Sequence, residues 1–422
     1  MKFIADFHIH SKYSRATSKD MDLECLDKWA KIKGIKVLGT GDFTHPEWFK
    51  NLQQKLEPAE PGLFKLKKDD QGTRFILTAE ISCIYSKNLP AGRQGNKVRK
   101  IHILVFAPSF EVVEKINIQL GWIGNLKSDG RPILGLDAKE LAKIILNSSQ
   151  DCLVVPAHMW TPWFSVFGSK SGFDSLEECF EEYTKYIYAG ETGLSSDPAM
   201  NWKISNLDNI ALISNSDSHS CRKIGREANV FDAEVSYPSI VEAIKAKDPK
   251  RFLYTVEFFP EEGKYHFDGH RACNISLSPE QSKKYNNICP NCGKPLTLGV
   301  LNRVEELADR KGEVNPANRI PFKSLVPLEE IIADALNQRP ATKAVLQEYD
   351  NLIKEFAAEF NVLLDVSEDL LKAKTLPQIA EGIARVRNGK LSLEPGYDGV
   401  YGKVHIFSQG EQKNSSKQST LF

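Results

Sequence analysis

No apolar run in these 422 residues is long enough to cross a bilayer. The first ten residues, MKFIADFHIH, carry polar side chains too early for the apolar stretch of a signal peptide. A membrane-spanning or exported protein is therefore not expected, and the reading is a soluble, cytoplasmic one. Charge of one sign is also missing, since Lys and Arg number 55 and Asp and Glu 55, giving a net charge of zero. That excludes holding a polyanion by the field of the whole molecule and leaves local patches to do so. No internal repeat is visible, which argues against a solenoid. Disulfide staples are not expected either. Cys25, Cys83, Cys152, Cys179 and Cys221 stand alone in helix-like or strand-like surroundings, as buried reduced thiols do.

What is present is an ordinary apolar content, 41%, on a chain long enough for two or three domains. Residues 1–255 alternate short β-branched runs with helical periods. Helices are expected over Leu23–Ile32, Leu136–Leu146, Ser175–Tyr183 and Pro238–Ala246. Strands are expected over Val37–Thr40, Leu153–Pro156, Ile187–Ala189, Ile210–Ser214 and Phe252–Thr255. Alternation of this kind predicts an α/β domain with a parallel, barrel-like sheet. Residues 256–300 differ: they are aromatic, basic and rich in Cys, Pro and Gly. From Val300 onward the periods are helical, over Val300–Arg310, Pro327–Leu336, Thr342–Phe360, Ser367–Lys372 and Thr375–Asn388. The run Val345, Tyr349, Leu352, Phe356 is a helix packing face. A short strand, Gly402–Phe407, precedes a polar tail over 410–422 that is expected to lack fixed structure. The expected domains are thus 1–255, 256–300 and 301–409, with a flexible end.

Metal-type side chains follow the apolar runs of the first domain in order. His8 and His10 follow Phe3-Ile4-Ala5, and Asp42 and His45 follow Val37-Leu38-Gly39. Glu80 follows Phe75-Ile76-Leu77, His102 sits within Ile101–Phe106, and His158 follows Leu153-Val154-Val155. Asp217 and His219 follow Ile210–Ile213. Strands that each deliver one polar group to a shared end are how a barrel builds a metal site. His8 and His10 are two apart, so both imidazoles face the same way, and Asp217 and His219 repeat that spacing. Of nine histidines in the chain, six lie at these positions. Imidazole suits Zn²⁺, Mn²⁺ or Fe²⁺, and carboxylates can bridge two ions. Close ions activate water for in-line attack on phosphorus without any Ser or Cys nucleophile.

The order His8-x-His10, Asp42…His45, Glu80, His102, His158, Asp217-x-His219 resembles the polymerase-and-histidinol-phosphatase (PHP) superfamily. The resemblance implies a distorted seven-stranded β/α barrel with metals at the strand C-terminal ends. It casts all nine of these residues as ligands, and His8, His10, Asp217 and His219 as the catalytic core. Two departures, Ser11–Arg15 after the first pair and Phe43-Thr44 between Asp42 and His45, leave open whether two or three ions bind. Arg15 is then a candidate phosphate clamp, or simply a solvated loop residue.

Cys289-Pro-Asn-Cys292-Gly-Lys is a zinc-ribbon knuckle, with Cys273 upstream at a ribbon-like distance. His270 completes an H-x-x-C knuckle facing it, with His266 the alternative fourth ligand, so a structural Zn²⁺ is expected.

The stretches Ala5–Ser14, Gly39–Trp48, Ser214–His219, Asn287–Leu296 and Leu301–Asp309 together resemble the endonuclease Q family, in order over nearly the whole chain. This implies DNA as partner and a nick 5′ of deaminated bases (hypoxanthine, uracil, xanthine) and abasic sites. A small-ester phosphatase of the PHP type is the alternative, but it would need neither zinc segment nor helical domain. Reading one altered base requires turning it into a pocket. Trp160, Trp163 and Phe164 after one strand, and Glu191 and Ser195 after another, are the candidate pocket residues. Lys97, Arg99, Lys100, Arg222, Lys223, Arg226 and Arg303 are candidate phosphate contacts, and the enzyme would be nucleoid-associated. The terminal Gln418-Ser-Thr-Leu421-Phe422 looks like a peptide that docks on a sliding clamp.

Overall fold

The structure is a computed structural model and describes residues 1–67, 69, 72–88 and 96–408. Gln418, Leu421 and Phe422 lie outside these. In chain order the strands of the N-terminal part are β1 (Lys2–Asp6), β2 (Val37–Gly39), β3 (Leu56–Pro58), β4 (Phe64–Leu66), β5 (Arg74–Asn88) and β6 (Asn96–Ala107). They continue with β7 (Ile133–Leu134), β8 (Leu153–Pro156), β9 (Ala189–Glu191), β10 (Ala211–Ile213), β11 (Ala228–Asp232) and β12 (Phe252–Glu257). Beyond them come β13 (Asp268–His270), β14 (Ile275–Leu277) and β15 (Phe322–Ser324).

One sheet runs β15-β12-β11-β1-β2-β5-β4-β3, with β6 and β7 also on β5 and β8 on β6. β9 runs next to β8 and pairs in parallel with β10. A bridge between Ile9 and Ser218 then brings the segment after β10 back to the segment after β1. Alternate strand residues, among them Phe3, Ala5, Phe7, Leu104, Phe106, Leu153, Val155, Ala189, Ala211, Ile213 and Phe231, share one buried cluster. Their neighbours Ile4, Val105 and Val154 belong to a second cluster with the helices. Both faces of the sheet are therefore covered, which is why its strands read as continuous apolar runs.

The expected all-parallel sheet is corrected to a mixed one. β1 with β2 and β2 with β5 are parallel, but β5/β6, β6/β8, β1/β11 and β11/β12 are antiparallel. A parallel neighbour needs a crossover of a dozen or more residues, and none fits between the ends of β5 and β6. Side-chain periodicity says which face a strand buries, not which way its neighbour runs.

Local signals explain the helices. Leu23–Lys33 begins at Asp22, whose carboxylate accepts from Cys25 N at 3.0 Å, and ends at Gly34 with φ 86°. The helix expected over Thr342–Phe360 instead stops at Phe356, where Ala357 turns to φ 69°. That turn carries Glu359 into the first part of the chain, where Lys33 Nζ lies 2.6 Å from Glu359 Oε2. Tyr349 Oη donates to the same carboxylate at 2.6 Å, and Leu328 N donates to it at 3.2 Å. Burial opposes ionisation, but Lys33 and Tyr349 together hold the Glu359 carboxyl below its ordinary value of 4.5. The folded state thus binds this proton less readily than the unfolded chain. Its contribution is present above pH 4.5 and is lost as pH falls through the depressed value. Glu359→Gln leaves the Lys33 ammonium buried without a counter-charge, and should cost roughly 3 kcal/mol in denaturant unfolding at pH 7. The variant's curve should converge on wild type in acid.

Candidate metal centre

Strand ends and the turns after them bring the polar residues together. Glu80 lies within β5 opposite Leu104, and His102 lies within β6 opposite Ser82, so Glu80 and His102 are diagonal neighbours on one face. Asp42, His158 and Asp217 each follow a strand with positive φ, at 49°, 28° and 46°. A backbone held in this region by residues other than glycine marks a site where side-chain aim outweighs local strain.

Two groups of donors form around Glu80. In the first, one atom from each of His8, His10, Glu80 and Asp217 lies within 4.8 Å of the others. His10 Nε2 is 3.0 Å from Asp217 Oδ1 and 3.2 Å from Glu80 Oε2, and His8 Nε2 is 3.5 Å from Glu80 Oε2. Yet His8 Nε2, His10 Nε2 and Asp217 Oδ1 are buried without a hydrogen-bond partner. Converging nitrogen and oxygen lone pairs left unbonded at such a point fit a divalent cation. In the second group the other Glu80 oxygen, Oε1, lies 2.6 Å from His102 Nδ1 and 2.9 Å from His158 Nε2. Glu80 therefore spans both groups, as a carboxylate bridging two ions does.

Charge follows the geometry. Burial opposes it, but Glu191, Asp217 and Glu80 hold the His8 imidazole well above its ordinary range. Against burial, His102, Arg131 and His8 hold the Glu80 carboxyl well below its own. Burial drives His102 down to about 4. It also pulls down His219.

Several residues expected as ligands lie outside both groups. Asp42 lies outside both groups: its Oδ1 takes His10 Nδ1 at 3.0 Å, and its Oδ2 accepts from Ser11 N, Ser11 Oγ and Ser14 Oγ. This is the carboxylate behind an imidazole, which fixes the ring and its tautomer. Glu191, expected in the substrate pocket, does the same beneath His8. It is fully buried, and accepts from His8 Nδ1 at 3.0 Å, His158 N at 2.8 Å and Asn215 Nδ2 at 2.9 Å. His45 is also outside, stacked on Tyr13 at 4.3 Å. His219 lies outside both groups, with its ring 4.6 Å from that of His10 and its Nδ1 2.8 Å from Asp217 O.

A third donor group lies in the Cys-rich segment. One atom each of His270, Cys273, Cys289 and Cys292 fall within 4.8 Å of one another. His270 ends the first strand of the β13/β14 hairpin, and Cys273 sits in the turn after it. Cys289 O accepts from Gly293 N at 2.9 Å, closing the knuckle. Burial opposes it, but the backbone N–H groups of Asn291 and Cys292 draw the Cys289 thiol down to about 6. A thiolate at that position is what a zinc ion requires. The alternative, His266, is buried against Phe267 and lies outside the group.

Residues 327–390 match the family model described as the MJ0043 C-terminal domain. The uncharacterized protein MJ0043 of Methanocaldococcus jannaschii is 36% identical over 258 residues, and the match covers 59% of this chain but only 32% of that protein. The chain thus spans about a third of that relative's length. The uncharacterized protein YqxK of Bacillus subtilis is 29% identical over 426 residues, covering 96% of this chain and 99% of that one. Among solved structures, the lesion-specific endonuclease PfuEndoQ from Pyrococcus furiosus superposes with a TM-score of 0.84 at 32% identity, over 98% of this chain and 99% of that one. The chain belongs to the endonuclease Q family. Endonuclease Q bound to a 27-mer duplex with an abasic lesion at the active site superposes with a TM-score of 0.82, also at 32% identity, over 97% and 98% of the two chains.

In this endonuclease Q chain the expected pocket residues divide. Trp160 is core: it is buried, its Nε1 donates to Asn201 Oδ1 at 2.7 Å, and its ring packs 4.9 Å from Phe167. Trp163 is 42% exposed, and its ring plane is nearly perpendicular to that of Tyr265 at 5.9 Å. Phe164 lies 4.8 Å from the His102 ring, directly beside the second donor group. Ser195 is half-buried after β9. Most of the expected phosphate contacts are already committed. Arg99 donates to Gly172 O, and Arg303 donates to Phe167 O and Phe173 O. Arg222 pairs with Glu329, and Lys223 and Arg226 pair with Glu330. Lys100 stands 5.3 Å over the Phe164 ring, and Arg15, 73% exposed, pairs with Asp129 at 3.1 Å. The sequence reading missed Arg131, whose Nη1 donates to Glu80 Oε2 at 2.9 Å. No motif flags an arginine between a helix and a two-residue strand.

Proposed function

We propose that this chain is a DNA repair endonuclease that hydrolyses the phosphodiester bond 5′ of deaminated bases (hypoxanthine, uracil, xanthine) and of abasic sites. The likeness to endonuclease Q with an abasic lesion at its active site, over nearly the whole chain, carries the reading. We read residues 1–255 as a distorted PHP-type barrel, 256–300 as a zinc module and 301–409 as a helical domain. His8, His10, Glu80 and Asp217 would hold one divalent ion, and Glu80, His102 and His158 a second. His270, Cys273, Cys289 and Cys292 would hold a structural Zn²⁺.

Bound ions of this kind acidify water and neutralise charge developing on phosphate oxygens. The chain's own part is orientation. Asp42 and Glu191 fix the His10 and His8 rings from behind. Glu80 offers one oxygen to each group. His219 is the imidazole we assign to proton exchange at the departing oxygen, because it stands beside His10 outside both groups with 32% of its side chain exposed. Phe164 stands beside His102, and the next residue back, the exposed Trp163, is the other aromatic we assign to holding an unstacked base.

Labelled duplexes carrying dU, dI, an abasic site or no lesion, incubated with Mg²⁺, Mn²⁺ or Zn²⁺, test the activity. A single nick 5′ of the lesion and none in the intact duplex is expected. Release of phosphate from small esters alone would turn the reading to a phosphatase. The tail motif belongs to the same proposal: deleting Gln418–Phe422 should abolish binding to a sliding clamp and leave nicking of short duplexes unchanged.

A further inference from the structure

The loop between the helix Phe110–Gly121 and β7 is tied to the metal centre from several sides. Thr44 Oγ1 donates to Gly130 O at 3.2 Å, and Gly130 N donates to Tyr13 O at 3.0 Å. Asp129 Oδ1 accepts from Arg15 N at 3.3 Å and from Arg131 N at 3.2 Å. A Cβ at residue 130 would collide with the Asp42 carboxylate and the Ser14 hydroxyl, so only glycine lets the loop lie this close. These contacts converge on the placement of Arg131.

Arg131 donates through Nη1 to Glu80 Oε2 at 2.9 Å, and 27% of its side chain is exposed. A guanidinium has five N–H donors in a planar fork, and the contact with Glu80 takes one. The fork matches two phosphate oxygens as well as it matches a carboxylate. Arg99, Arg222, Arg226 and Arg303 are held by backbone carbonyls or by acidic side chains away from the donor groups, and Arg15 pairs with Asp129. Arg131 is the one that touches the carboxylate shared by both groups.

We propose that Arg131 grips the phosphate at the reacting position, with one edge of its guanidinium on Glu80 and the other on a non-bridging phosphate oxygen. This rests on the endonuclease reading above. A phosphate is common to every nucleotide, so the contact fixes position and charge and leaves lesion choice to the base pocket.

Inert probes test it: a duplex already nicked 5′ of an abasic-site analogue, ending there in either a 5′-phosphate or a 5′-hydroxyl. The metal-loaded wild type should bind the phosphate form at least about tenfold more tightly, the scale of one charge-assisted contact. In Arg131→Ala, with metal content equal to wild type, that preference should fall by about tenfold, leaving the share the ions themselves contribute, and Arg131→Lys should keep part of the difference as a point charge. An undiminished preference in Arg131→Ala would overturn the proposal. So would loss of metal together with preference in both variants, because the guanidinium would then serve only to hold Glu80. A wild type that bound neither probe would instead count against the endonuclease reading itself.

Discussion

Glu80→Gln should lower nicking of an abasic duplex by about a thousand-fold or more, with metal lost from both donor groups. The substitution keeps the shape of the side chain and removes its charge. Glu80 Oε1 faces His102 and His158, while Oε2 faces His8, His10 and Arg131. An amide can offer only its oxygen to one of these groups and must turn its NH₂ on the other. That face would carry two donor hydrogens where a cation belongs. Among the described residues no other side chain belongs to both groups, so no other single change should empty both. Asp42→Asn provides the contrast. Its effect passes through the His10 ring, and losses of that kind run at about 10–100-fold in metal affinity or activity. Single-turnover nicking and metal analysis of the purified variants rank the two. Near-wild-type turnover in Glu80→Gln, or an Asp42→Asn defect equal to it, would remove the bridging role.

Cys292→Ser should cost one zinc equivalent and the fold of the segment around it. Little apolar surface holds that segment together: Pro279, Cys289 and Leu296 are its buried apolar side chains from 270 to 299. Asp268 accepts from Gly299 N at 2.7 Å and Asn302 Nδ2 at 2.7 Å, which anchors its base to the following helix but not its tip. Structural zinc is worth about 10–16 kcal/mol in isolated finger peptides, more than such a segment can replace by packing. Limited proteolysis should therefore cut the variant between β14 and Leu296, while residues before 255 resist as in wild type. Full retention of zinc would sink the assignment. Loss of zinc without new cleavage would show that backbone contacts suffice.

How much of this was legible beforehand depended on the physics of each signal. The His8-x-His10 and Cys289-x-x-Cys292 spacings are short, so local chain geometry alone sets both side chains toward one point. The run of single polar residues after apolar segments likewise named His102, His158, Glu80 and Asp217 before any coordinates. Glu191 and Asp42 were singled out as well, and the structure sets their carboxylates on the Nδ1 side of His8 and His10. A carboxylate in front of an imidazole and one behind it have the same sequence appearance, and only the ring's orientation separates them. The antiparallel β5/β6 pair was missed because burial patterns carry no direction. The partners of the basic residues were not legible because a charge run does not reveal them, and Glu329 and Glu330 lie more than a hundred residues from the arginines they pair with.

The sequence by itself thus determined the chemical inventory: which donors exist, in what order, and that short strands alternate with helices in the first part of the chain. Only the tertiary structure decided which donors face a common point and which stand behind them, because that choice turns on ring orientation and on contacts across distant segments. Arg131 belongs wholly to the second kind, since its meaning comes from a 2.9 Å contact with a residue fifty-one positions away.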